Sequence, residues 1–554
     1  MDKLGVIFTD TWVLADKYHC QPRDVEQLLL AFVRDSESQG VEWQMVDVGG
    51  HDFDYIFNQN VWGPKDVWKA YAQALNDYCA GMGWKTDYRT PLFIVGGDDV
   101  IPMPIFDLPS HEGNSPVSLQ ADMLYAYHHH FNIIDEVMET LGNGYLFSET
   151  MLSKSFFNVS RLPLENGDIL TSIQQDLGDY FSRSVDSGGC IKVDSLLPTS
   201  AYNWYMSVRG ITEKLPLLPL GPDTRCRLSD IVISPNHNMG DSAALQEYTS
   251  AISKADMLLF NTHGSNRPEQ SGFMGQGPAP EPGDERISYV EYPLAFDVEL
   301  LPYCRAKILA TLSCYGARFY NYQRQQSMLL SAIYGDFLLY MGSCEVALGR
   351  GGVKDPGNAL RLTGYSETLM KIYINLLMEG EPAGLALLKA KWRYLEECIG
   401  EDSPTTALYT IFEFNQFGNP ALKVIAPRYN RQRGDSETKM YGSSKVKPPI
   451  VLAHKFTTLY SSGISELDAL YQDVRNTLDK TLLQLSFDLC QMLQRDYSYS
   501  STNLFLTSVV RIDESSGIGG YLFQYLYEQL HNRDHSIYVR VDGEGRLKDV
   551  IHTI

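Results

Sequence analysis

The chain has 554 residues, which is too long for one hydrophobic core and predicts two to four domains. Hydrophobic residues make up 44% and aromatic residues 12% of it, so the composition indicates a globular protein rather than a disordered one. The 46 basic and 68 acidic side chains give a formal net charge of −22. This charge argues against non-specific nucleic-acid binding, which requires clustered cations.

The nine cysteines are scattered and include no Cys-x-x-Cys pair, so the sequence predicts neither a zinc site nor a disulfide framework. Consecutive residues point in different directions, so the run His128–His130 does not predict a metal site either. The first residues lack the apolar stretch of a secretion signal, and no apolar run approaches the ~18–20 residues of a membrane span. We therefore expect a cytoplasmic, thiol-reduced protein that binds neither membranes nor nucleic acid.

The first 186 residues alternate between strand-like and helix-like patterns. Short apolar runs predict strands, and apolar residues at helical spacing predict helices. The expected strands are Leu4–Thr9, Glu42–Val48 and Pro91–Val95, and the expected helices are Val25–Val33, a segment after Gly63-Pro64 and Asn166–Arg183. We assign residues 1–186 to an N-terminal α/β subdomain.

From Gly189 onwards strands and helices alternate more regularly, which predicts a mostly parallel sheet with helices on both faces. The expected strands are Ile191–Pro198, Ser229–Ser234, Met257–Thr262, Lys307–Ser313, Phe337–Met341 and Ala421–Ile425. The expected helices are a segment capped by Asp241, Gln325–Tyr334, Ser366–Glu379 and Ala383–Cys398. We assign residues 187–427 to a second subdomain and the polar stretch 428–449 to a linker. Residues 450–554 are expected to form a small α/β or α+β domain.

Two of these strands end in reactive residues. Met257–Thr262 is followed by His263-Gly264, and Lys307–Ser313 is followed by Cys314-Tyr315-Gly316. Ligands of open α/β sheets bind beyond the carboxyl ends of the strands. A thiol becomes a useful nucleophile beside a base, and histidine titrates close to working pH. The pattern therefore predicts a thiol nucleophile, Cys314, with His263 as its proton carrier.

The two reactive blocks resemble those of the caspase-fold cysteine peptidases, in the gingipain-like branch. The spacing of 51 residues between His263 and Cys314 matches the caspase arrangement. Weaker landmarks follow in the same order, at Phe93–Asp98, Ala121–Tyr125, Val159–Pro163, Gly380–Ala386 and Phe417–Leu422. The resemblance implies a gingipain-like N-terminal subdomain followed by a caspase-like catalytic subdomain. It also implies that Cys314 attacks the scissile carbonyl and that His263 protonates the leaving amine. The backbone N–H groups of Gly264 and Cys314 would bind the oxyanion.

Specificity is less defined. The region Leu197–Ser200, where related enzymes can carry a carboxylate that orients the histidine, has none, so we predict a dyad. Arg209 would favour an acidic P1 residue, whereas Glu345 would favour a basic one. We expect Ser343, Cys344 and Glu345 to line the substrate cleft. Cys344 is also a rival nucleophile, but it lacks the Cys-x-Gly context.

These observations predict a regulated intracellular cysteine endopeptidase that acts through a thioester, in a bacterial signalling, antiphage or cell-death setting. Activation would come from a partner protein, from residues 450–554, or from cleavage within Gly275–Arg286 or Arg428–Lys447. The alternatives are an inactive caspase-like peptide-binding or assembly module and a peptide ligase or transamidase. Gly349–Gly352 lacks the Lys-Ser/Thr of a phosphate loop, which disfavours nucleotide hydrolysis. No cofactor is required, and a structural calcium ion, which relatives can bind, is left open.

Overall fold

The computed structural model describes most of the chain, with gaps. The described residues are 3–49, 66–108, 117–128, 133, 136–137, 147–201, 204–212, 215, 232–233, 242–267, 272–276, 294–350, 365–398, 404–426, 455–461, 480–497, 504–514, 517–529, 532–542 and 544–553. The linker 428–449, the helix cap Asp241 and most of Gly275–Arg286 lie outside them. Within these ranges, no helix combines the length and hydropathy that a membrane crossing requires.

The N-terminal part places strands and helices close to where the sequence predicts them, except that the helix predicted over Asn166–Arg183 begins only at Gln174, with a π-helical turn before α5. The strands are β1 (Lys3–Thr9), β2 (Val41–Asp47), β3 (Pro91–Val95), β4 (Ile105–Leu108), β5 (Val117–Gln120) and β6 (Asn158–Leu162). The helices are α1 (Thr11–Lys17), α2 (Pro22–Ser36), α3 (Val67–Gly81), α4 (Phe147–Ser153) and α5 (Asp179–Asp186). Local chemistry defines the helix starts: Asp10 caps α1, and Pro22 occupies the first turn of α2.

The second part adds the strands that carry the reactive residues. They are β7 (Cys190–Lys192), β8 (Leu196–Ser200), β9 (Val232–Ile233), β10 (Met257–Asn261), β11 (Gly272–Met274), β12 (Leu294–Asp297), β13 (Ile308–Thr311), β14 (Leu339–Ser343), β15 (Gly349–Arg350), β16 (Phe414–Gly418) and β17 (Lys423–Ile425). The helices are α6 (Tyr205–Thr212), α7 (Ser242–Ile252), α8 (Met328–Ile333), α9 (Tyr365–Met378), α10 (Ala383–Cys398) and α11 (Pro404–Glu413).

One sheet of ten strands runs through both parts, in the order β2-β1-β3-β6-β16-β14-β13-β10-β8-β9. Neighbouring strands are parallel except at β14 and β16, which are antiparallel. The sheet therefore consists of two parallel blocks that run in opposite directions. The predicted class, a mixed α/β protein with a large, mostly parallel sheet flanked by helices, is confirmed. The domain boundary at residue 186 stays a prediction, because strands from both sides of it share this sheet.

One predicted strand is confirmed and another needs correction. The strand predicted at Ala421–Ile425 is β17 (Lys423–Ile425), while β16, which joins the large sheet just before it, was not predicted. The polar residues Asn415 and Gln416 hid it, because their side chains are buried in hydrogen bonds. The predicted strand Ile191–Pro198 is two strands, and β7 pairs with β17 in a separate small sheet.

A buried ion pair explains several of the sequence landmarks together. Arg161, on β6, is fully buried, and its Nη2 and Nε donate to Asp122 at 2.6 and 2.8 Å. Its Nη1 donates to the carbonyl oxygens of Gly96, Gly97 and Ile101 at 2.7–3.1 Å. The glycine turn after β3, the Asp122 segment and the β6 arginine thus form one hydrogen-bonded unit, which satisfies a charge that would otherwise be costly to bury.

The C-terminal part is an antiparallel sheet with one helix. Its strands are β18 (Lys455–Ser461), β19 (Leu504–Glu514), β20 (Gly517–Gln529), β21 (Asn532–Asp542) and β22 (Leu547–Thr553), and its helix is α12 (Lys480–Tyr497). Leu482 and Leu489 of α12 share a small core with Val509 and Phe523. At the other edge, β22 pairs with β15 through Gly349↔His552 and Arg350↔Ile551. This ladder joins the C-terminal sheet to the chain that follows β14.

Candidate active site

Strands β8, β10, β13 and β14 are parallel neighbours, so their carboxyl ends lie at one edge of the sheet. His263 follows β10 and Cys314 follows β13. The register ends with Phe260 paired with Thr311, and His263 and Cys314 each follow three residues later in the chain. Neighbouring strands are about 4.8 Å apart. The fold therefore brings the two predicted catalytic residues side by side.

Direct contacts hold the two strand ends together beyond the last ladder pair. Thr262 Oγ1 and Ser313 Oγ are hydrogen-bonded at 2.8 Å, and Leu312 N donates to Phe260 O at 2.8 Å. Gly264 packs against the peptide of Cys314 so closely that a Cβ atom there would lie 1.8 Å from the Cys314 carbonyl oxygen. The absence of a side chain at Gly264 is thus a steric requirement of the site.

The replacement Gly264→Ala is expected to push the Cys314 strand end away and to lower kcat/KM by about 100-fold or more, the usual effect of a 1 Å misplacement. Gly81, at the exposed end of α3, is the matched control, because a Cβ there meets nothing within 4 Å. Peptidase assays of Gly264→Ala and Gly81→Ala should separate the two. Equal activity of both variants would contradict this steric role.

The His263 ring is held on two sides. Its Nε2 lies 3.0 Å from Oε1 of Gln276, and the indole of Trp204 packs on the imidazole with ring centroids 4.4 Å apart. The His263 backbone exchanges two hydrogen bonds with Met274, at 2.8 and 2.9 Å. With Gln276 as acceptor, the neutral ring carries its proton on Nε2, and Nδ1 is the basic nitrogen. Only 3% of His263 is exposed.

Gln276 and Trp204 were missed by the sequence interpretation. Gln276 falls at the start of the predicted flexible insertion Gly275–Arg286, yet it is buried against His263. The antiparallel bridge between Met274 and His263 brings it there. The short apolar triplet Gly272–Met274 just before Gln276 was the one sequence feature that indicated a strand here. Trp204 lies after β8, in the region where related enzymes can carry a carboxylate, and packs on the imidazole. The polar contact to the histidine comes instead from the amide of Gln276, in another segment.

We expect Gln276→Ala to lower kcat by up to about 100-fold with little change in KM, because the imidazole loses the group that selects its tautomer and orientation. Gln276→Glu should instead raise the pKa of His263, since a carboxylate favours the imidazolium. The acidic limb of the kcat profile would then move to higher pH. Profiles of both variants that overlay the wild type would exclude this positioning role.

Cys314 lies in a tight turn that the loop after β14 supports. Tyr315 has a φ of 55°, a left-handed conformation that non-glycine residues adopt rarely and at a cost. Tyr315 N donates to Glu345 O at 2.7 Å, and Ala317 N donates to Ser343 O at 2.8 Å. The Cys314 Sγ lies 3.6 Å from Ala347 O. Strain next to Cys314 is thus held by fixed backbone hydrogen bonds.

Close packing explains why the third residue of the Cys-x-Gly motif, Gly316, is a glycine. A Cβ at Gly316 would lie 2.9 Å from Thr311 Cγ2 and 3.0 Å from Ser313 O. Any larger residue would therefore push against the end of β13, the strand that positions Cys314.

The predicted cleft residues divide into three groups. Ser343 and Cys344 are fully buried, which corrects the prediction that their side chains bind substrate. The Ser343 hydroxyl donates to Glu345 O, and burial raises the pKa of the Cys344 thiol well above its usual range, so Cys344 is not a rival nucleophile. Arg209 lies on α6, but its side chain is outside the described part of the chain, and its role stays a prediction.

Glu345 is half-buried next to the Cys314 turn. Burial raises the pKa of its carboxyl group, while the hydroxyl of Tyr320, which donates to Oε1, and the nearby charge of Arg318 act in the opposite direction. Tyr409, on α11, has a pKa raised well above its usual range by burial and by nearby Glu413, Glu345 and Cys314. Among the described residues, no cluster of three His, Cys, Asp or Glu side chains could hold a metal ion.

Comparison with known proteins gives little beyond this geometry. No family model matches the sequence, and no curated protein matches it significantly. Among solved structures, the chain is similar to one described as "Structure of Protease", with 10% sequence identity and a TM-score of 0.41. That match covers 100% of this chain and 97% of the other. The assignment of a reaction therefore depends on the residues of this chain.

Proposed function

We propose that this protein is a cysteine endopeptidase with a caspase-like, gingipain-related catalytic unit, in which Cys314 is the nucleophile and His263 the general acid and base. One observation carries the proposal. His263 and Cys314 follow the carboxyl ends of the adjacent parallel strands β10 and β13, at the edge where α/β sheets bind ligands. Thr262–Ser313 and Gly264–Cys314 contacts hold that arrangement.

The reaction has two stages. His263 accepts the thiol proton of Cys314 as the sulfur forms a bond to the scissile carbonyl carbon, and the tetrahedral intermediate then collapses with loss of the C–N bond. His263 delivers a proton to the leaving amine, so the first product departs as a neutral amine. Water then attacks the thioester while His263 accepts one of its protons. The C–S bond breaks, the acid product leaves, and the proton held by His263 returns to the sulfur to restore the Cys314 thiol.

The surrounding residues have distinct tasks in this scheme. The backbone N–H groups of Gly264 and Cys314 would stabilise the oxyanion, a contribution of about 3–4 kcal/mol per donor in characterised enzymes. Gln276, which contacts Nε2, orients the His263 imidazole and leaves Nδ1 available for proton transfer. Trp204 covers the imidazole and keeps water from that side.

Regulation would come through the chain after β14. The loop 344–348 supports the Cys314 turn, and the next two residues, β15, pair with β22 of the C-terminal sheet. An intracellular peptidase needs restraint, and this connection makes residues 450–554 a candidate regulator, alongside an activating partner protein. Peptide ligation is the same chemistry with an amine in place of water, so it remains the related alternative.

The test is cleavage of a diverse peptide pool by the wild type and by Cys314→Ala, alone and with neighbouring gene products. New termini are mapped by mass spectrometry. We expect new termini with the wild type only, and peptide-bond products joined in a new order would indicate ligation. Equal cleavage by both proteins, or none under any condition, would contradict the proposal and favour a peptide-binding or assembly module.

A further inference from the structure

Arg318 lies four residues after Cys314, and its guanidinium contacts the faces of three tyrosines. The distances from Cζ to the ring centroids are 5.4 Å for Tyr315, 4.7 Å for Tyr320 and 5.3 Å for Tyr322. A guanidinium within about 6 Å of an aromatic face is attracted by the ring quadrupole. Together the rings hold the Arg318 side chain in place; we call Arg318 and these three tyrosines the arginine cage.

Each tyrosine of the arginine cage is connected to a different segment of the candidate active site. Tyr315 directly follows Cys314. The Tyr320 hydroxyl donates to Glu345 Oε1, in the loop after β14. The Tyr322 hydroxyl donates to the carbonyl oxygen of Asn266, three residues after His263. The guanidinium therefore lies where the three loops that form the site meet.

The charge of Arg318 is not balanced by an ion pair. Within the described residues no carboxylate lies within 4.0 Å of it, whereas Arg161, Arg305 and Arg324 each have an aspartate partner at 2.6 Å. The Arg318 Nε is buried without an acceptor, although the side chain as a whole is half-exposed. Glu345 is the nearby acid, and its Oε1 already accepts from Tyr320. A fixed cation with unused donors favours an anionic ligand.

We propose that Arg318 binds a carboxylate side chain of the substrate, so that the peptidase selects peptides with Asp or Glu at a fixed position near the scissile bond. This inference rests on the proposed function and adds a residue to it. Guanidinium and carboxylate match in a two-pronged geometry, and the cage reduces the rotamer freedom lost on binding. Since Glu345 faces Arg318 and Tyr320, it is less suited to select a basic residue.

The test uses two peptide mixtures of otherwise identical sequence. The acidic mixture contains Asp and Glu, and the neutral mixture contains Asn and Gln at the same positions. We expect the wild type to prefer the acidic mixture by about 10–100-fold in kcat/KM, the usual range for a hydrogen bond to a charged group. Arg318→Gln should bring this ratio close to 1, and Arg318→Lys should restore part of it. Arg89 stacks on Tyr88 with Cζ 4.8 Å from the ring centroid, and Arg89→Gln, a matched control, should keep the ratio.

The outcomes separate this inference from the proposed function. Cleavage without acidic preference, or a preference that survives in both Arg318 variants, would overturn the role of Arg318 while leaving the peptidase intact. If the wild type cuts nothing, the proposed function fails. Binding of the two mixtures to Cys314→Ala, with and without Arg318→Gln, then tests separately whether Arg318 prefers acidic peptides. Thermal unfolding of each variant verifies that it is folded.

Discussion

Arg161→Met is expected to lower the free energy of unfolding by about 3–5 kcal/mol, the usual result of removing one partner of a buried ion pair. Methionine fills a similar volume, so the loss comes from polar groups. The Asp122 carboxylate would stay buried without its cation, and three carbonyl oxygens would lose a donor. Chemical denaturation followed by circular dichroism measures the effect.

The exposed Arg89 provides the control for that experiment, and Arg89→Met should change the unfolding free energy by no more than about 0.5 kcal/mol. The double variant Arg161→Met/Asp122→Leu should be more stable than the sum of its single variants predicts, because no charge is then left unpaired. An additive double variant would indicate that the two residues do not interact.

His263→Ala is expected to reduce kcat/KM for amide substrates by about 10²–10⁴-fold, the range for loss of a general acid–base group. The reduction should be much smaller for a peptide ester with a good leaving group, because that group departs without a proton. Comparison of kcat/KM, which reports acylation and not deacylation, for matched amide and ester substrates at high pH, where the thiolate forms without a base, measures the difference. An equal loss on both would exclude His263 as the proton donor to the leaving amine.

Alkylation provides the control for the histidine variant. Iodoacetamide should still modify Cys314 in His263→Ala at high pH, since the thiolate then forms without a base. The Cys314→Ala protein reports the background from the other cysteines. Loss of alkylation at every pH would mean that the substitution disturbs the Cys314 turn rather than the proton transfer.

The sequence predicted the strands of the large sheet where apolar runs are short and bounded by turn residues, as at β1, β3, β10 and β13. It also placed His263 and Cys314 at strand ends, and the parallel pairing of β10 with β13 brings those ends together. These successes have one cause: a buried parallel strand shows its apolar pattern locally, and its chain position gives its carboxyl end.

Features that depend on contacts between distant segments could not be predicted in this way. Nothing in the sequence near Gln276 points to His263, because the end of β11 must first form its backbone bridge from Met274 to His263. Likewise β16 contains Asn415 and Gln416, whose burial is stabilised by hydrogen bonds to Gln120 and Tyr340 rather than by hydrophobicity. The arginine cage, too, becomes visible only once the tyrosines of one turn converge on Arg318.

The two-residue strand β15 has a consequence for the thermodynamics of the protein. It follows directly on the loop that supports the Cys314 turn, and its ladder partner is β22. Gly349 also lies next to Trp204, the residue that covers His263. A Cβ atom added to Gly349 would be 3.7 Å from the indole nitrogen of Trp204. Anything that changed the pairing of β22 with β15 would therefore act on the loop next to Cys314 and on Trp204. By reciprocity, a ligand that favours one state of the C-terminal sheet and a substrate that favours one arrangement of the cleft change each other's affinity by the same factor.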